Sequence, residues 1–489
     1  MTVLDDLAVG AELETLRRLA AAKLDAEVIR GQLYQRYYDS EFNILALMST
    51  EERQTFTAFL AESGANWCEL VVNALAERLR VVGFAFGGDS DLAWQLWKAS
   101  AMNADSELVQ TDALVTGRGV VLVQPDDDGD NPTGVELTAE SPFECTVLYQ
   151  PGDRRTAIAG YKRFAGLDSQ LYPYPIWTGE PLGSTTEVLI TPQVVATWLA
   201  GSNEPVVLPN PAGIVGMVEI IPQPRTAGPP RSELASVIPI QDRINTTIFS
   251  RLVASDYGAF RTIWATGVKL ARQVMQVTDQ DGVTTDTVQY VAPYQIGANR
   301  LLANENPQAH FGAIPESTLQ GYLASVEQDV SQLAAITQTP AWYLMPIVNL
   351  AADAIKAAES GLVAKAERRA KHIGEGWEQV MRVALAMAGR PPLPKGEGDV
   401  IWADFETRSL SQLTDSLVKM RTLGVPIKEL WRRWGATPAQ ITEWEQMRKD
   451  EAAEPQLVPA PVPAPSTGRA NFPGPTEPVA PPAGPPEAP

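Results

Sequence analysis

The chain has little of what metal and redox chemistry require. Only two histidines and two cysteines occur among its 489 residues. His310 and His372 have no partner at a fixed spacing, so a histidine-based metal or acid–base site is not expected. Cys68 and Cys145 lie in partly apolar stretches, and we expect each to be a small buried side chain rather than half of a disulfide. The sequence therefore predicts no catalytic residue, no metal site and no cofactor.

Nucleotide-binding and membrane-spanning patterns are also missing. There is no G-x-x-x-x-G-K-[ST] phosphate loop, and the Gly-Arg-Gly sequence at 117–119 lacks the third glycine of a dinucleotide motif, so we interpret it as a tight hairpin. The acidic run 126–130 resembles a calcium loop, but Gln124 and Val135 would stand at its first and last ligand positions. A solvated turn is the better interpretation. No transmembrane segment is expected, and the N-terminus predicts an amphipathic helix rather than a signal peptide.

Positive charge is scarce. The chain carries 39 Lys and Arg against 59 Asp and Glu, a formal net charge of −20. This balance argues against a protein that grips nucleic acid by neutralising its phosphates. It remains compatible with a protein that lets a polyanion slide past a weakly adhesive wall.

Helical and β-type patterns alternate along the chain in an unusual order for an enzyme. In sequence, they are helix-rich stretches at 13–49 and 51–79, a tryptophan-containing helix at 90–112, a strand pair at 113–124, a β-rich layer to about 224, a helix at 232–257, short strands at 260–314, a helix at 317–337, a loop at 339–348, a very long helix at 351–388 and small helices at 410–451. Ser232 is a suitable cap for the first long helix, and Pro239 predicts that its regular part begins near Ile240.

The longest predicted helix follows an unusual loop. No proline occurs from 351 to 388, and at 1.5 Å per residue this segment would span roughly 57 Å. Directly before it, Trp342 and Tyr343 stand between Pro340 and Pro346. The loop either packs into a core or presents its aromatic side chains outside it, and the sequence leaves both possibilities open.

The end of the chain differs from the rest in composition. Prolines make up 13 of the last 35 residues, and few large apolar side chains accompany them. Such a segment cannot bury a core, so we predict a disordered or polyproline-like tail.

A set of short motifs, weak singly and informative in order, resembles bacteriophage portal proteins, especially those of actinobacterial siphophages. The motifs are Asn73, Glu77-Arg78-Leu79, Gly83-Phe84, Asp112-Ala113-Leu114-Val115, Gly117-Arg118, Glu140-Ser141-Pro142, Gly160-Tyr161-Lys162-Arg163, Ser232-Glu233-Leu234, Gln241-Asp242-Arg243-Ile244-Asn245 and Ala354-Ile355-Lys356-Ala357-Ala358-Glu359. The resemblance covers roughly residues 10 to 450. It departs from the family pattern at Met217 and at 223–225.

The resemblance implies an α+β, mainly helical portal fold with named regions. These would be a wing at 1–231, a stem helix at 232–257, a clip at 258–316, a second stem helix at 317–338, a tunnel loop at 339–349, a long wing or channel helix with its connection at 350–404, crown-like helices at 405–451 and the proline-rich tail at 452–489.

The implied function is that of a structural, non-enzymatic ring, in the family usually a dodecamer, at one capsid vertex. Double-stranded DNA would pass through it during packaging and release, and it would dock the large terminase, the major capsid protein and a head-completion or adaptor protein. Its location would be the virion, and the host cytoplasm during assembly. Another phage head or connector protein is the first alternative; an acidic soluble enzyme with an unrecognised site is the second.

Two groups of residues are candidates for these contacts. The tunnel loop would face DNA through Trp342, Tyr343, Leu344 and Met345, although Trp342 could instead anchor the loop against the long helix. The clip would bind partners through Lys269, Arg272 and Arg300, unless these side chains are merely solvated.

Overall fold

The fold is known from a computed structural model of the full chain. It describes residues 3–41, 62–126, 129, 133–165, 185–199, 202, 204–259, 263–266, 271–278, 284–291, 308, 310–313, 318–345, 352–391, 393–394, 396–406, 410–436 and 438–453. The chain divides into two compact units, Met1–Gly435 and Ala436–Pro489. The proline-rich tail, most of the acidic run at 126–130 and the predicted helical residues 42–61 lie outside the described part.

Helices dominate the described residues. In chain order they are α1 (Val3–Tyr38), α2 (Trp67–Ala76), α3 (Ser90–Ala99), α4 (Met102–Thr116), α5 (Ile238–Ala259), α6 (Gln320–Thr337), α7 (Ala341–Leu344), α8 (Ala352–Met387), α9 (Leu410–Thr422), α10 (Ile427–Trp434) and α11 (Pro438–Ala453). The last of these belongs to the second unit, and the others to the first. The predicted α+β, mainly helical class is confirmed.

Fourteen strands are described, in five antiparallel sheets. They are β1 (Val81–Ala85), β2 (Gly119–Pro125), β3 (Val135–Glu140), β4 (Cys145–Tyr149), β5 (Ala157–Ala165), β6 (Thr185–Ile190), β7 (Val194–Trp198), β8 (Val206–Pro209), β9 (Met217–Ile220), β10 (Ile263–Thr266), β11 (Ala271–Thr278), β12 (Thr284–Val291), β13 (His310–Ala313) and β14 (Asp399–Trp402). The sheet orders are β1-β14, β10-β13, β11-β12, β3-β2-β9 and β4-β5-β6-β7-β8. The predicted β-rich layer thus corresponds to β2 through β9.

The main core surrounds the C-terminal half of α8. The 36 residues of this helix span about 54 Å at 1.5 Å per residue, close to the length that the sequence predicts. Trp377 on α8 is fully buried and meets Trp97 of α3 edge to face, with ring centroids 4.8 Å apart. The β3-β2-β9 sheet packs against both α4 and α8, and Val121 and Val123 of β2 belong to the same core as the two helices. A single helix therefore ties the N-terminal and C-terminal thirds of the unit together.

A smaller core holds α1 against the five-stranded sheet. Leu13, Ala20 and Leu24 are buried on one side of α1, and Tyr161 and Trp198 are buried on the sheet beneath them. These three helix positions are spaced by seven and four residues, which places them on one face. The inner face of α1 is therefore fixed by this layer.

The Gly-Arg-Gly sequence at 117–119 is not a hairpin, and the predicted strand pair from Ala113 is wrong at its start. Helix α4 continues to Thr116, and Gly117 ends it in the left-handed conformation at φ 96°. Its N–H donates to the Ala113 carbonyl at 3.0 Å, the usual glycine cap of a helix C-terminus. A Cβ at Gly119 would stand 2.3 Å from the Val109 carbonyl oxygen, so only glycine fits where β2 begins. Gly117 and Gly119 thus allow the chain to pass directly from the end of α4 to the start of β2.

The start of α5 agrees with the sequence except for its first residues. The Ser232 hydroxyl accepts a hydrogen bond from the Leu234 N–H, as a cap should, but it caps a 3₁₀ turn from Glu233 to Ser236. The regular helix then begins at Ile238, two residues earlier than predicted. Pro239 fits there because the first helical turn needs no amide donor.

The two cysteines are small core residues, as predicted. Cys68 and Cys145 are buried and form no disulfide, and burial raises the pKa of the Cys68 thiol to about 12. Among the described helices, none is long and apolar enough to cross a membrane. The described residues contain no group of three or more side chains arranged to hold a metal ion.

Candidate functional site

Two long helices, α5 and α6, pack side by side at the centre of the candidate site. Arg243 on α5 forms an ion pair with Asp329 on α6 at 2.7 Å and donates to Gln332 at 2.8 Å. Arg243 is half exposed while the Asp329 carboxylate is largely buried. The pair therefore fixes the register of the two helices at their outer edge.

Buried amides join α5 to the start of α2. Gln241 and Asn245, one helical turn apart, are both fully buried. The Gln241 side-chain oxygen accepts from the Trp67 N–H at 3.1 Å, and the Asn245 oxygen accepts from the Ala65 N–H at 3.3 Å. These amide oxygens satisfy backbone donors that would otherwise be buried without partners. The motif at 241–245 thus has a structural reason.

A second buried contact joins the start of α5 to α8. The Glu233 carboxylate forms ion pairs with the Lys365 ammonium at 2.9 Å and with the Arg369 guanidinium at a shorter distance. Lys365 also donates to the Thr337 carbonyl, at the end of α6, at 3.0 Å. Burial alone would raise the pKa of Glu233, but the Lys365 ammonium and the Arg369 guanidinium hold it below its ordinary value. This ion cluster brings the start of α5, the end of α6 and the middle of α8 to one point.

The described part of the predicted loop, residues 339–345, follows directly after the end of α6 at this ion cluster. Gln338 ends α6 in the left-handed conformation at φ 56°, and Pro340 precedes the one-turn helix α7. Leu344 is buried, and Tyr343 and Met345 pack against the main core. Trp342 and Tyr343 contact each other with ring centroids 4.0 Å apart. Four candidate residues therefore share one turn, and three of them contact the core; residues 346–351 lie outside the described part.

Arg78, with a side chain only 9% exposed, connects this turn to three other elements. It donates to the Tyr343 hydroxyl at 3.1 Å and to the Phe405 carbonyl at 2.6 Å. Its guanidinium also lies 3.7 Å from the Glu359 carboxylate on α8. Charge-assisted bonds of this kind are stronger than neutral ones. Arg78 consequently holds α2, α7, α8 and the segment after β14 in one arrangement.

Comparison with known proteins identifies this arrangement of elements. The family described as phage portal protein, SPP1 Gp6-like, matches residues 20–456, nearly the whole chain. The chain belongs to the phage portal protein family. It is 26% identical over 447 residues to the portal protein of Mycobacterium phage D29, covering 85% of this chain and 84% of that one. It is also 26% identical over 431 residues to the portal protein of Mycobacterium phage L5, covering 86% and 84%.

Family membership confirms the resemblance found in the motifs. Portal proteins are structural parts of a phage, so the interpretation as an acidic enzyme is discarded. The two named relatives come from mycobacterial phages, which agrees with the actinobacterial type that the motifs indicate. In a portal subunit the residues of interest are those that meet DNA, neighbouring subunits or docked proteins.

The three basic residues predicted to bind partners fall only partly within the described part of the chain. Arg272 lies in β11 opposite Tyr290 of β12, and its side chain is outside the described part. Lys269 and Arg300 lie outside it altogether. The structure therefore places the strand that carries Arg272 and does not bring the three side chains together.

Sequence reasoning missed the two polar junctions of this portal chain. Arg78 stands inside a quoted motif without a role, and Lys365 and Arg369 stand in the predicted long helix unremarked. For Lys365 and Arg369, the sequence did contain a signal. Both lie beside Leu362, Ala366 and Ile373 on the apolar face of α8, and a charge there requires a buried partner.

Proposed function

We propose that this portal chain forms a ring-shaped channel of twelve copies at one capsid vertex, through which double-stranded DNA is packaged and released. The family match over residues 20–456 carries the proposal. The order of two packed helices, a short turn and a 36-residue helix supports it, because long helices arranged around an axis make a rigid wall. Its docking partners would be the large terminase, the major capsid protein and a head-completion or adaptor protein, first in the host cytoplasm and then in the virion.

Native mass spectrometry of the purified chain tests ring formation. We expect a single high-mass species whose mass is an integral multiple of the 53.0 kDa subunit. Because each copy carries a net charge of −20, salt that screens like charges should favour assembly. A protein that stays monomeric across a full salt series would contradict the proposal.

Within this ring we assign the regions as wing at 1–231, stem at 232–257 and 317–338, clip at 258–316, tunnel loop at 339–349, long helix with its connection at 350–404 and crown at 405–451. The pairing of α5 with α6 supports the stem assignment, since both helices lie side by side over much of their length. The short strands β10 to β13 between them support a separate clip.

The tunnel loop has two candidate roles for its aromatic turn. Trp342, Tyr343, Leu344 and Met345 could form a constriction that touches DNA through dispersion without ionic bonds that would have to break at each step. The contacts of Tyr343 and Leu344 with the core, and the hydrogen bond from Arg78, support an anchoring role for these two residues instead. Trp342, which is only half-buried, keeps the first role open.

A paired substitution separates these roles. If the turn touches DNA, replacing Trp342 and Tyr343 by Ala leaves ring assembly and melting temperature unchanged and reduces packaged DNA. If the turn is an anchor, the same variant lowers the melting temperature of the ring. Unchanged stability together with unchanged packaging would contradict both.

The clip residues Lys269, Arg272 and Arg300 are proposed to contact the terminase and later the adaptor. The positive charge of these side chains supports the proposal. In a chain with 59 acidic residues, three basic side chains in one short region suit a polar, reversible interface. Charge reversal at Lys269 and Arg272 should weaken capture of the terminase by the ring. Unchanged capture would indicate that these side chains are only solvated.

A further inference from the structure

Helix α1 carries a second apolar face that no described part of its own subunit covers. Leu19, Ala22, Ala26, Ile29 and Leu33 are all exposed, with Leu19 at 57%, Ile29 at 71% and Leu33 at 49%. Their spacings of three, four, three and four residues are those of an a/d seam over two heptads. We call these five residues the α1 stripe.

The α1 stripe is distinct from the face that packs in the fold. At about 100° per residue, its five positions centre about 160° away from buried Leu13, Ala20 and Leu24. Helix α1 is thus apolar on two nearly opposite sides, one covered by the five-stranded sheet and one open to solvent. An exposed seam of helix-packing spacing marks a contact surface rather than chance exposure.

A cleft with basic walls borders the stripe. Two adjoining hollows of about 330 and 380 Å³ share Glu27, Arg30, Arg118 and Arg225 among their lining residues, and the larger one also contains Ala26 of the stripe. Their other walls include Pro229 and Pro230. The stripe and the cleft are therefore one continuous surface.

The floor of the cleft is already neutralised. Arg118 pairs with Glu27 at 3.1 Å and with Glu219 at 3.3 Å, and Lys23 pairs with Glu219 at 3.3 Å. Burial would raise the pKa of Glu219, but the charges of Lys23 and Arg118 and the Val147 N–H keep it below its ordinary value. These groups are matched within the subunit and hold α1 to β4 and β9.

The rim of the cleft carries basic side chains that have no acidic partner among the described residues. Within the described part of the chain, no carboxylate lies at ion-pair distance from Arg30, Arg154, Arg225 or Arg231, all four of which line the cleft. Arg30 only donates to the Ala26 carbonyl one turn earlier, at 3.3 Å. We call the hollows with these four residues the arginine cleft. Because the chain has a net charge of −20, four arginines without an ion-pair partner at one place indicate a surface that binds carboxylates of another molecule.

The chemistry of the combined surface selects its occupant. A DNA duplex offers phosphates for the arginines but no apolar ridge to cover Leu19, Ile29 and Leu33, and it is too wide to enter hollows of a few hundred Å³. A helix with an apolar ridge and acidic flanks satisfies both halves of the surface. A second copy of this chain provides carboxylates in excess, since acidic residues outnumber basic ones by 59 to 39. A closed ring also requires two different faces on each copy.

We propose that the α1 stripe and the arginine cleft together form one face of the subunit–subunit contact and receive an acidic, apolar-ridged helix of the neighbouring copy. This inference rests on the proposed ring. It names the surface that closes the ring and the kind of surface that docks there.

The test uses the full chain with two pairs of substitutions. Ile29→Glu with Leu33→Glu places charge in the α1 stripe, and Arg30→Glu with Arg225→Glu reverses the charge at the rim of the cleft.

The matched controls lie elsewhere on the surface. They are Leu423→Glu, at a side chain that is 84% exposed, and Arg80→Glu with Arg421→Glu. Because most of these side chains are exposed, the melting temperature of each monomer should stay within about 2 °C of wild type. The ring fraction is measured by mass photometry.

We expect both surface variants to lose at least about tenfold of the ring fraction while the controls assemble as wild type. If the surface variants form rings in the wild-type proportion, the inference is overturned and the proposed ring stands. If wild type itself forms no ring, the proposed function fails and the inference fails with it. Normal rings that no longer join capsids would assign the surface to the capsid protein and also overturn the inference.

Mixing adds a test of direction. A copy with the altered stripe keeps its other face, so in a head-to-tail ring it can end a growing arc but cannot extend it. Mixtures of wild type and the Ile29→Glu, Leu33→Glu variant should therefore contain open arcs. Mixtures with the Leu423→Glu control should contain closed rings, and closed rings in both would contradict the proposal.

Discussion

The polar junction where α5, α6 and α8 meet and the proposed clip at 258–316 are stabilised in different ways. At the junction, Glu233, Lys365 and Arg369 form a buried ion cluster, and Arg78 joins four elements through charge-assisted contacts. In the clip, the described strands form two separate two-stranded sheets, β10-β13 and β11-β12. Isolated two-stranded sheets are marginally stable in water. The junction can thus be completed within one subunit, whereas the clip gains from cover by further surfaces.

This difference suits a channel that must stay rigid while its partners change. Buried ionic contacts specify one geometry at a high cost of disruption, and such contacts would give the proposed tunnel loop a fixed base. A docking region needs interchangeable contacts, which a polar interface provides.

The largest effect is expected from Glu233. Glu233→Gln leaves Lys365 and Arg369 as buried charges without a counter-ion, which should lower the free energy of unfolding by about 3–5 kcal/mol. Urea denaturation of the full chain measures it. Glu327→Gln, at an exposed position of α6, is the matched control and should change stability by less than about 0.5 kcal/mol. Equal, small effects of the two substitutions would contradict a structural role for the cluster.

Acid should reveal the same cluster in the unaltered protein. The folded pKa of Glu233 lies below its ordinary value of 4.5, so its ionised form stabilises the fold above that pH. The contribution should be lost as the pH falls from about 4.5 through the lowered folded pKa. In Glu233→Gln this part of the pH dependence should be missing.

A smaller effect is expected at Arg78. Arg78→Ala removes contacts to Tyr343, Phe405 and Glu359 and should cost about 2–3 kcal/mol. Tyr343→Phe removes one of these contacts and should cost about 1 kcal/mol. If Arg78 positions the turn, Arg78→Ala should also expose α7 to proteolysis, while Tyr343→Phe should not. Equal cleavage of both variants and wild type would contradict that role.

Replacing the clip should hardly affect the rest of the subunit. Among the described residues, exchange of 260–314 for a short Gly-Ser linker removes none that belongs to the main core. The melting temperature of the core should therefore shift by no more than about 2 °C, while capture of the terminase should be lost. A large fall in melting temperature would show that the clip is part of the junction's stability.

The smallest effect is expected from the tail. Residues 455–489 have a composition that cannot build a core, so their deletion should leave folding and ring formation unchanged. Thermal denaturation and mass photometry of the shortened chain check this. A clear loss of stability would show that the tail is docked.

Sequence patterns predicted the helices well because their signals are local. The long helix at 351–388 lacks proline throughout and appears as α8, Ala352–Met387. The small helices predicted at 410–451 appear as α9, α10 and α11. Ser232 also acts as a cap, since capping depends on residues two or three positions apart.

Features that depend on distant residues were harder to predict. Gly119 is required by the approach of Val109 in the packed structure, so the Gly-Arg-Gly sequence alone looked like a hairpin. The junction combines Glu233 with Lys365 and Arg369, more than 130 residues away, and Arg78 with Phe405. The α1 stripe was hidden because two apolar faces on one helix nearly cancel in any single amphipathic pattern.

Electron microscopy of the purified full chain at moderate salt tests the ring directly. We expect closed rings with a central hole wide enough for a DNA duplex, lined by the α5–α6 pair. Two-dimensional class averages and a reconstruction at helix resolution would show both features. Particles that are monomeric, or rings in which α5 and α6 lie on the outer rim, would contradict it.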